Sequence, residues 1–109
     1  KETLDNQNES KAYLCGRLFA LVCKLQFVSQ GSVNNSIKTR FCAAASTSPS
    51  RVMGLLLTKY VPIYEKKTKG AYSKLITEIA ARIGNFPNQF STIELGEFAL
   101  GYYFQDNIK

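Results

Sequence analysis

The chain has 109 residues, of which 45% are hydrophobic, so it is long enough for one folded domain and too short for two. This composition excludes wholesale disorder, and no unbroken apolar run is long enough for a membrane span, because Arg17, Lys24 and Gln26 interrupt the best candidate, residues 12–28. A formal net charge of +6 favours a polyanionic partner, with solubility alone as the other explanation.

We expect a flexible segment over residues 1–9 and a single helical-bundle domain over residues 10–109. The first predicted helix covers about 10–29, because apolar residues recur there in steps of three and four: Leu14, Leu18, Leu21, Leu25 and Val28. Its other side is also apolar and carries small residues such as Gly16. This helix is therefore either the central helix of the bundle or docks by its small-residue side on another subunit.

Asn34 or Asn35 is predicted to cap a short second helix that passes through Ile37, Phe41 and Ala44. Residues 43–46 have no bulky side chain. Either a neighbouring helix or a sugar-phosphate backbone could therefore approach closely at this run.

Ser48 and Pro49 mark the start of a third helix, in which Ser48 is expected to accept a backbone N–H bond. We expect its buried face to comprise Val52, Leu55, Leu56 and Tyr60. Pro62 has no backbone N–H, so it predicts a break or kink, followed by a frayed basic turn over residues 63–69.

Two further helices complete the pattern. Apolar spacing from Tyr72 to Ile83 predicts a fourth helix that ends at Gly84. A linker over residues 86–90 should pack by its two phenylalanine rings, and Ser91 with Glu94 forms a capping box that opens the fifth helix. The sequence therefore predicts an all-α fold, a compact bundle of about five helices.

The positive charge is concentrated in one half of the chain. Between Glu9 and Glu65 there are 55 residues with seven cations and no acid, whereas the other 54 residues hold seven cations and eight acids. Such a region can hold a polyanion, because each contacted phosphate releases condensed counterions. The candidate nucleic-acid-binding residues are Arg17, Lys24, Lys38, Arg40, Arg51 and Lys59.

These candidates lie at the margins of three predicted helices. Arg17 and Lys24 flank the apolar stripe of the first helix and are expected to extend their charges to the surface. Lys66, Lys67 and Lys69 either touch phosphate as well or belong to a solvated loop. Tyrosines, among them Tyr60, Tyr64, Tyr72, Tyr102 and Tyr103, either stack on bases or belong to the core.

Catalysis is not expected. The chain has no histidine, its acids form no dyad or metal-ligand pattern, and its scattered glycines form no phosphate-binding loop. The three cysteines, Cys15, Cys23 and Cys42, are expected to be small core residues. We expect neither a metal nor another cofactor, and, because no signal-peptide pattern is present, a cytoplasmic location.

Three segments together resemble a known family: residues 12–20 (AYLCGRLFA), residues 35–41 (NSIKTRF) leading to residues 44–46 (AAS) and 48–49 (SP), and residues 98–103 (FALGYY). They are similar, in the same order, to the C-terminal part of the large subunit of the type I-C CRISPR Cascade complex. In that family this region also exists as a separate small subunit, and a chain of this length that begins just before the first segment resembles that small subunit.

The resemblance implies a non-catalytic helical subunit of an RNA-guided surveillance complex that supports the R-loop, meaning the guide–target duplex and the displaced strand, in antiviral defence. Implied partners are other Cascade subunits (backbone subunits, the large subunit and further copies of this chain), the crRNA and the target DNA. Neither a membrane nor a small-molecule substrate is implied. Arg17, Lys38 and Arg40 lie within the matched segments, whereas Lys24, Arg51 and Lys59 are candidates by charge and helical position.

A structural adaptor is the alternative function. In that case apolar helix faces dock on other subunits, the cations are solvated, and Gly16→Leu prevents incorporation into the complex.

Overall fold

The computed structural model describes residue 8 and residues 10–30, 37–70 and 72–107, with all of their side chains except those of residues 30 and 37–39. The caps predicted at Asn34 and Asn35 lie outside this part of the chain. So does the predicted flexible segment over residues 1–9, apart from Asn8.

All regular secondary-structure elements of the described residues are helices. They are α1 (Lys11–Gln30), α2 (Ile37–Thr47), α3 (Pro49–Leu55), a π turn (Leu56–Tyr60), α4 (Val61–Thr68), α5 (Ser73–Ile83) and α6 (Thr92–Asp106). Because α3, the π turn and α4 follow one another without a break, they form a single continuous helix, which we call the rod. With the rod counted once, the described residues contain five helices and no strand. The predicted all-α bundle of about five helices is confirmed, with a radius of gyration of 12.9 Å.

α1 is the central helix, as one of the two alternatives predicted. Both its leucine stripe and its small-residue side are buried, and α1 contacts every other helix of the described chain. By length and mean hydropathy, 1.3 over its best window, α1 is also the one described helix that could cross a membrane, but 72% of that window is buried inside the protein. Such burial is typical of a core helix. The stripe ends earlier than predicted, since Val28 is exposed.

Two glycines let the backbones of α1 and α6 touch. A Cβ atom at Gly16 would lie 2.8 Å from the amide nitrogen of Tyr102, and one at Gly101 would lie 2.9 Å from the carbonyl carbon of Tyr13. Real Cβ atoms do not approach backbone so closely, so neither position has room for a side chain. Gly16→Leu would therefore disrupt this internal contact, and the substitution cannot serve as a test of docking on another subunit.

Aromatic rings surround this helix pair. The ring of Phe19 in α1 lies 6.1 Å from that of Phe98 and 5.9 Å from that of Tyr102, both in α6. Phe90 in the preceding linker lies 5.6 Å from Phe98. The linker phenylalanines Phe86 and Phe90 both pack against the core, as predicted.

The rod formed by α3, the π turn and α4 corrects the prediction made at Pro62. The helix continues instead of breaking, because the chain widens to a π turn in which the Val61 amide donates to the Leu56 carbonyl. A wider turn relieves the clash between a proline ring and the carbonyl four residues earlier. The predicted frayed turn over residues 63–69 is wrong for most of its length, since α4 extends to Thr68.

The π turn also explains which side chains of the rod are buried. Leu56, Val61 and Tyr64 are all buried, although the five-residue step from Leu56 to Val61 would separate them on an ideal α-helix. The extra residue in the wide turn brings them to one side. In the first part of the rod Met53 is buried and Leu55 is exposed, contrary to the predicted face.

The helix caps differ in how well they were predicted. The capping box of α6 is confirmed: the Glu94 amide donates to Ser91 Oγ at 3.2 Å, and the Ser91 amide donates to Glu94 Oε1 at 2.8 Å. Ser48 occupies the N-cap of α3 with Pro49 after it, but its side chain makes no capping bond.

The three cysteines have three different environments. Cys15 is fully buried, and this burial raises the pKa of its thiol to about 12. Cys23 is half-buried against the core. Cys42 is exposed on α2, so the expectation of a core position is wrong for that residue.

Gly101→Ala should lower the free energy of unfolding by about 3 kcal/mol, because the new methyl group must push α1 and α6 apart. Gly96→Ala is the matched control in the same helix, where no atom lies within 4 Å of the added Cβ. That change should stabilise the protein by about 0.5–1 kcal/mol. Urea denaturation of the two variants measures both effects, and equal stabilities would contradict the close contact.

Candidate nucleic-acid interface

The cations of α1 donate hydrogen bonds to other parts of the protein. Arg17 is only 3% exposed, and its Nε donates to the side-chain oxygen of Gln105 in α6 at 2.8 Å. Gln105 is itself buried. The expectation that Arg17 extends its charge to the surface is wrong, because the glycine contact holds α6 directly against this face of α1.

Two lysines of α1 donate to backbone carbonyls of neighbouring segments. Lys24 is half-buried and its Nζ lies 3.4 Å from the carbonyl oxygen of Asp106, at the C-terminal end of α6. Lys11 Nζ lies 3.2 Å from the carbonyl oxygen of Asn85, just beyond α5. The position of Lys24 favours a cation because the last carbonyls of a helix, here α6, carry partial negative charge.

A phosphate contact by Arg17 or Lys24 therefore stays a prediction, and for Arg17 it would require the bond to Gln105 to break. Lys38 lies in α2, but its side chain is outside the described residues. The remaining three candidates, Arg40, Arg51 and Lys59, are all exposed.

Two of these exposed cations lie beside the same aromatic ring. The guanidinium carbon of Arg40 in α2 is 6.0 Å from the ring centroid of Tyr60, and Nζ of Lys59 in the π turn is 5.6 Å from it. Arg40 also lies 5.0 Å from the ring centroid of Phe41. We call Arg40, Phe41, Lys59 and Tyr60 the cation–aromatic cluster.

The cluster continues along the rod. Arg51 and Lys59 lie eight residues apart, about 12 Å along the axis, and Lys66 follows seven residues later, about 10 Å further on. Lys66 and Lys67 are exposed in the last turn of α4, where cations suit the helix end. Both therefore lie on an ordered helix and not in a solvated loop. We call the four exposed cations of the rod, Arg51, Lys59, Lys66 and Lys67, the basic row.

The acids of the described residues do not neutralise the exposed candidate cations. Among the residues that the structure describes, no carboxylate forms an ion pair with Arg40, Arg51 or Lys59. Glu65, the first acid after the acid-free stretch, accepts a hydrogen bond from Ser73 Oγ at 2.6 Å, so its carboxylate is held toward α5.

Most tyrosines named as possible base-stacking residues are not free to stack. Tyr64 is buried, its hydroxyl lies 3.3 Å from the Gln26 amide nitrogen, and burial raises its pKa. Tyr102 packs on Phe19, and burial likewise raises its pKa. Tyr60 and Tyr72 are half-buried, which leaves Tyr103 as the exposed member of the set.

The described residues provide no metal centre, since no group of three or more His, Cys, Asp or Glu side chains is placed to hold an ion. A cavity of about 450 Å³ lies between α1 and α5 and is lined by Arg17, Leu75, Glu78, Ile79, Ala81 and Arg82. Arg82 donates to the carbonyl oxygen of Asn8 at 3.0 Å. The lining carries charges of both signs and indicates no particular class of ligand.

Arg17→Met should lower the free energy of unfolding by about 2 kcal/mol, because it leaves the buried Gln105 amide without its guanidinium donor. Arg51→Met is the matched control at an exposed site and should change stability by less than about 0.5 kcal/mol. Thermal or urea unfolding measures both. A neutral effect at Arg17 would show that this side chain is not structural.

Comparison with known proteins agrees with the resemblance noted in the sequence. No curated protein matches the chain significantly. The family model described as CRISPR-associated protein (Cas_Csd1) matches residues 1–108, which is nearly the whole sequence. The chain therefore belongs to the CRISPR-associated Csd1 family and is a component of a Cascade-type complex.

Proposed function

We propose that this chain is a non-catalytic, cytoplasmic small subunit of a type I-C Cascade complex, and that it stabilises the R-loop by binding nucleic-acid backbone without reading sequence. The observation that carries the proposal is the group of exposed cations Arg40, Arg51 and Lys59 on α2 and the rod. They lie within the half of the chain that contains no acid.

R-loop energetics explain why a few weak contacts suffice. The RNA–DNA duplex that forms is about as stable as the DNA duplex that it replaces, so protein contacts to phosphates can tip the exchange. Each contact adds counterion release and requires no base recognition. Supporting residues are therefore Arg40, Arg51 and Lys59, extended by Lys66 and Lys67, with the crRNA and the target DNA as the polyanionic partners.

The second candidate function is that of a structural adaptor, and a feature of α6 favours it. The outer side of α6 presents apolar residues at helical spacing: Ile93 (78% exposed), Leu100 (50%) and Tyr103 (59%), with Gly96 among them. We call these four residues the α6 stripe. Large exposed apolar side chains in a row are typical of a protein–protein contact. The α6 stripe and the basic row can serve the same subunit together.

Replacing Arg40, Arg51 and Lys59 together by Glu should weaken binding of target DNA by the reconstituted complex. If each cation contacts one phosphate, the slope of log affinity against log salt should become shallower by about 3, because each neutralised phosphate contributes about 0.9 to the slope. A salt titration of target binding by the complex measures the change. The single variant Lys74→Glu, on the exposed side of α5, is the control for a charge change elsewhere and should leave the slope unaltered.

An unchanged slope in the triple variant, with the subunit still present in the complex, would contradict the proposal and favour the adaptor function. Because the three side chains are exposed, the substitutions should not unfold the chain. The amount of subunit that copurifies with the complex shows whether assembly is intact.

The double change Ile93→Ser and Leu100→Ser should reduce incorporation of the chain into the complex more than ten-fold if the α6 stripe docks on another subunit, because two apolar side chains then lose their buried contact. Ile63→Ser, at an isoleucine on α4 that is as exposed as Leu100, is the control. Copurification quantified by mass spectrometry measures incorporation. Normal incorporation of the double variant would exclude the α6 stripe as the docking surface.

A further inference from the structure

The rings of the cation–aromatic cluster are partly covered by other aromatic side chains. The Phe41 ring meets that of Tyr60 edge-on, with centroids 5.9 Å apart and an interplanar angle of 61°. The Tyr60 ring in turn stacks on Tyr64, with centroids 6.4 Å apart and an angle of 25°. Since Tyr64 is buried and its hydroxyl bonds to Gln26, this side of Tyr60 faces the core.

Two cations also lie beside the Tyr60 ring. Arg40 lies 6.0 Å and Lys59 lies 5.6 Å from its centroid, so both charges are within the range of a cation–π interaction. Phe41 likewise has the Arg40 guanidinium at 5.0 Å. A base that stacked on either ring would have to displace a cation and the contacts between the rings.

The same arrangement favours phosphate binding by the two cations. Arginine and lysine side chains lose rotamer freedom when they bind, and this loss weakens a complex. Here the rings already restrict Arg40 and Lys59, while both side chains remain exposed to solvent. Two cations from different elements, α2 and the π turn, are held on one ring.

We infer that the cation–aromatic cluster binds the phosphodiester backbone alone, with Phe41 and Tyr60 as positioning residues for Arg40 and Lys59 and not as stacking partners for bases. This inference rests on the proposed function and narrows its substrate class to the sugar-phosphate strand, whether or not bases are attached. This mode of binding differs from that of single-strand binders, which combine a basic groove with base stacking.

An abasic strand tests the inference. The purified full chain is titrated at low salt against a fluorescently labelled 20-nucleotide DNA strand and against a strand of the same length that carries no bases. Affinities measured by anisotropy should agree within about two-fold. Stacking of one base on the cluster would make the base-bearing strand at least about five-fold tighter.

Two variants of one residue test the positioning role. Tyr60→Phe keeps the ring and should bind both strands like the native chain. Tyr60→Leu removes the ring and should weaken binding of both strands about three-fold, in line with the loss of exposed cation–π interactions. Circular dichroism checks that both variants retain their helices. If a variant does not fold, the comparison of the two strands on the native chain still tests the inference.

The outcomes distinguish this inference from the proposed function. If the base-bearing strand binds much more tightly while binding remains salt-dependent, the inference is overturned and the proposed function stands. If Tyr60→Leu weakens only the base-bearing strand, the ring is a stacking surface and the inference is again overturned. If neither strand shows salt-dependent binding, the inference fails for this chain, whereas the proposed function is decided by the salt titration of the complex.

Discussion

The contact between the backbones of α1 and α6 determines much of the rest of the structure. Because Gly16 and Gly101 leave no side chain between the two helices, α6 lies directly on the central helix. This closeness brings the Phe19 ring against Phe98 and Tyr102 and places Gln105 beside Arg17. A chemical consequence follows from the packing: Arg17 and Lys24 of α1 donate hydrogen bonds to α6, whereas the candidate cations Arg40, Arg51 and Lys59 of α2 and the rod are exposed.

The molecule thus has two surfaces of different chemistry on different helices. The basic row on the rod, with Arg40 beside it, is suited to phosphates, whereas the α6 stripe is apolar and suited to protein. Membership of the Csd1 family gives both surfaces a context, because a Cascade-type complex contains nucleic acid and several protein subunits. A subunit with both surfaces can dock on another subunit by the α6 stripe and contact nucleic-acid strands by the basic row.

Local patterns predicted the elements of the fold better than they predicted the site. The apolar periodicity of α1 and α5 and the Ser91–Glu94 box depend on neighbouring residues, and all three are confirmed. Pro62 was misjudged because a helix can absorb a proline by widening one turn. Arg17 was misjudged because its partner, Gln105, is 88 positions away and has no sequence signal that marks it as internal.

The separation of α1 and α6 along the sequence has a consequence for biosynthesis. α1 is apolar on both sides, and α6, which covers it most extensively, is synthesised after the other described helices. At ordinary synthesis rates, roughly 4 to 15 s separate the two helices. During that interval the central helix can bury only part of its surface against the intervening helices, so an incomplete chain exposes an apolar helix to chaperones and to aggregation. The core is therefore completed only after α6 has been synthesised and has packed on α1.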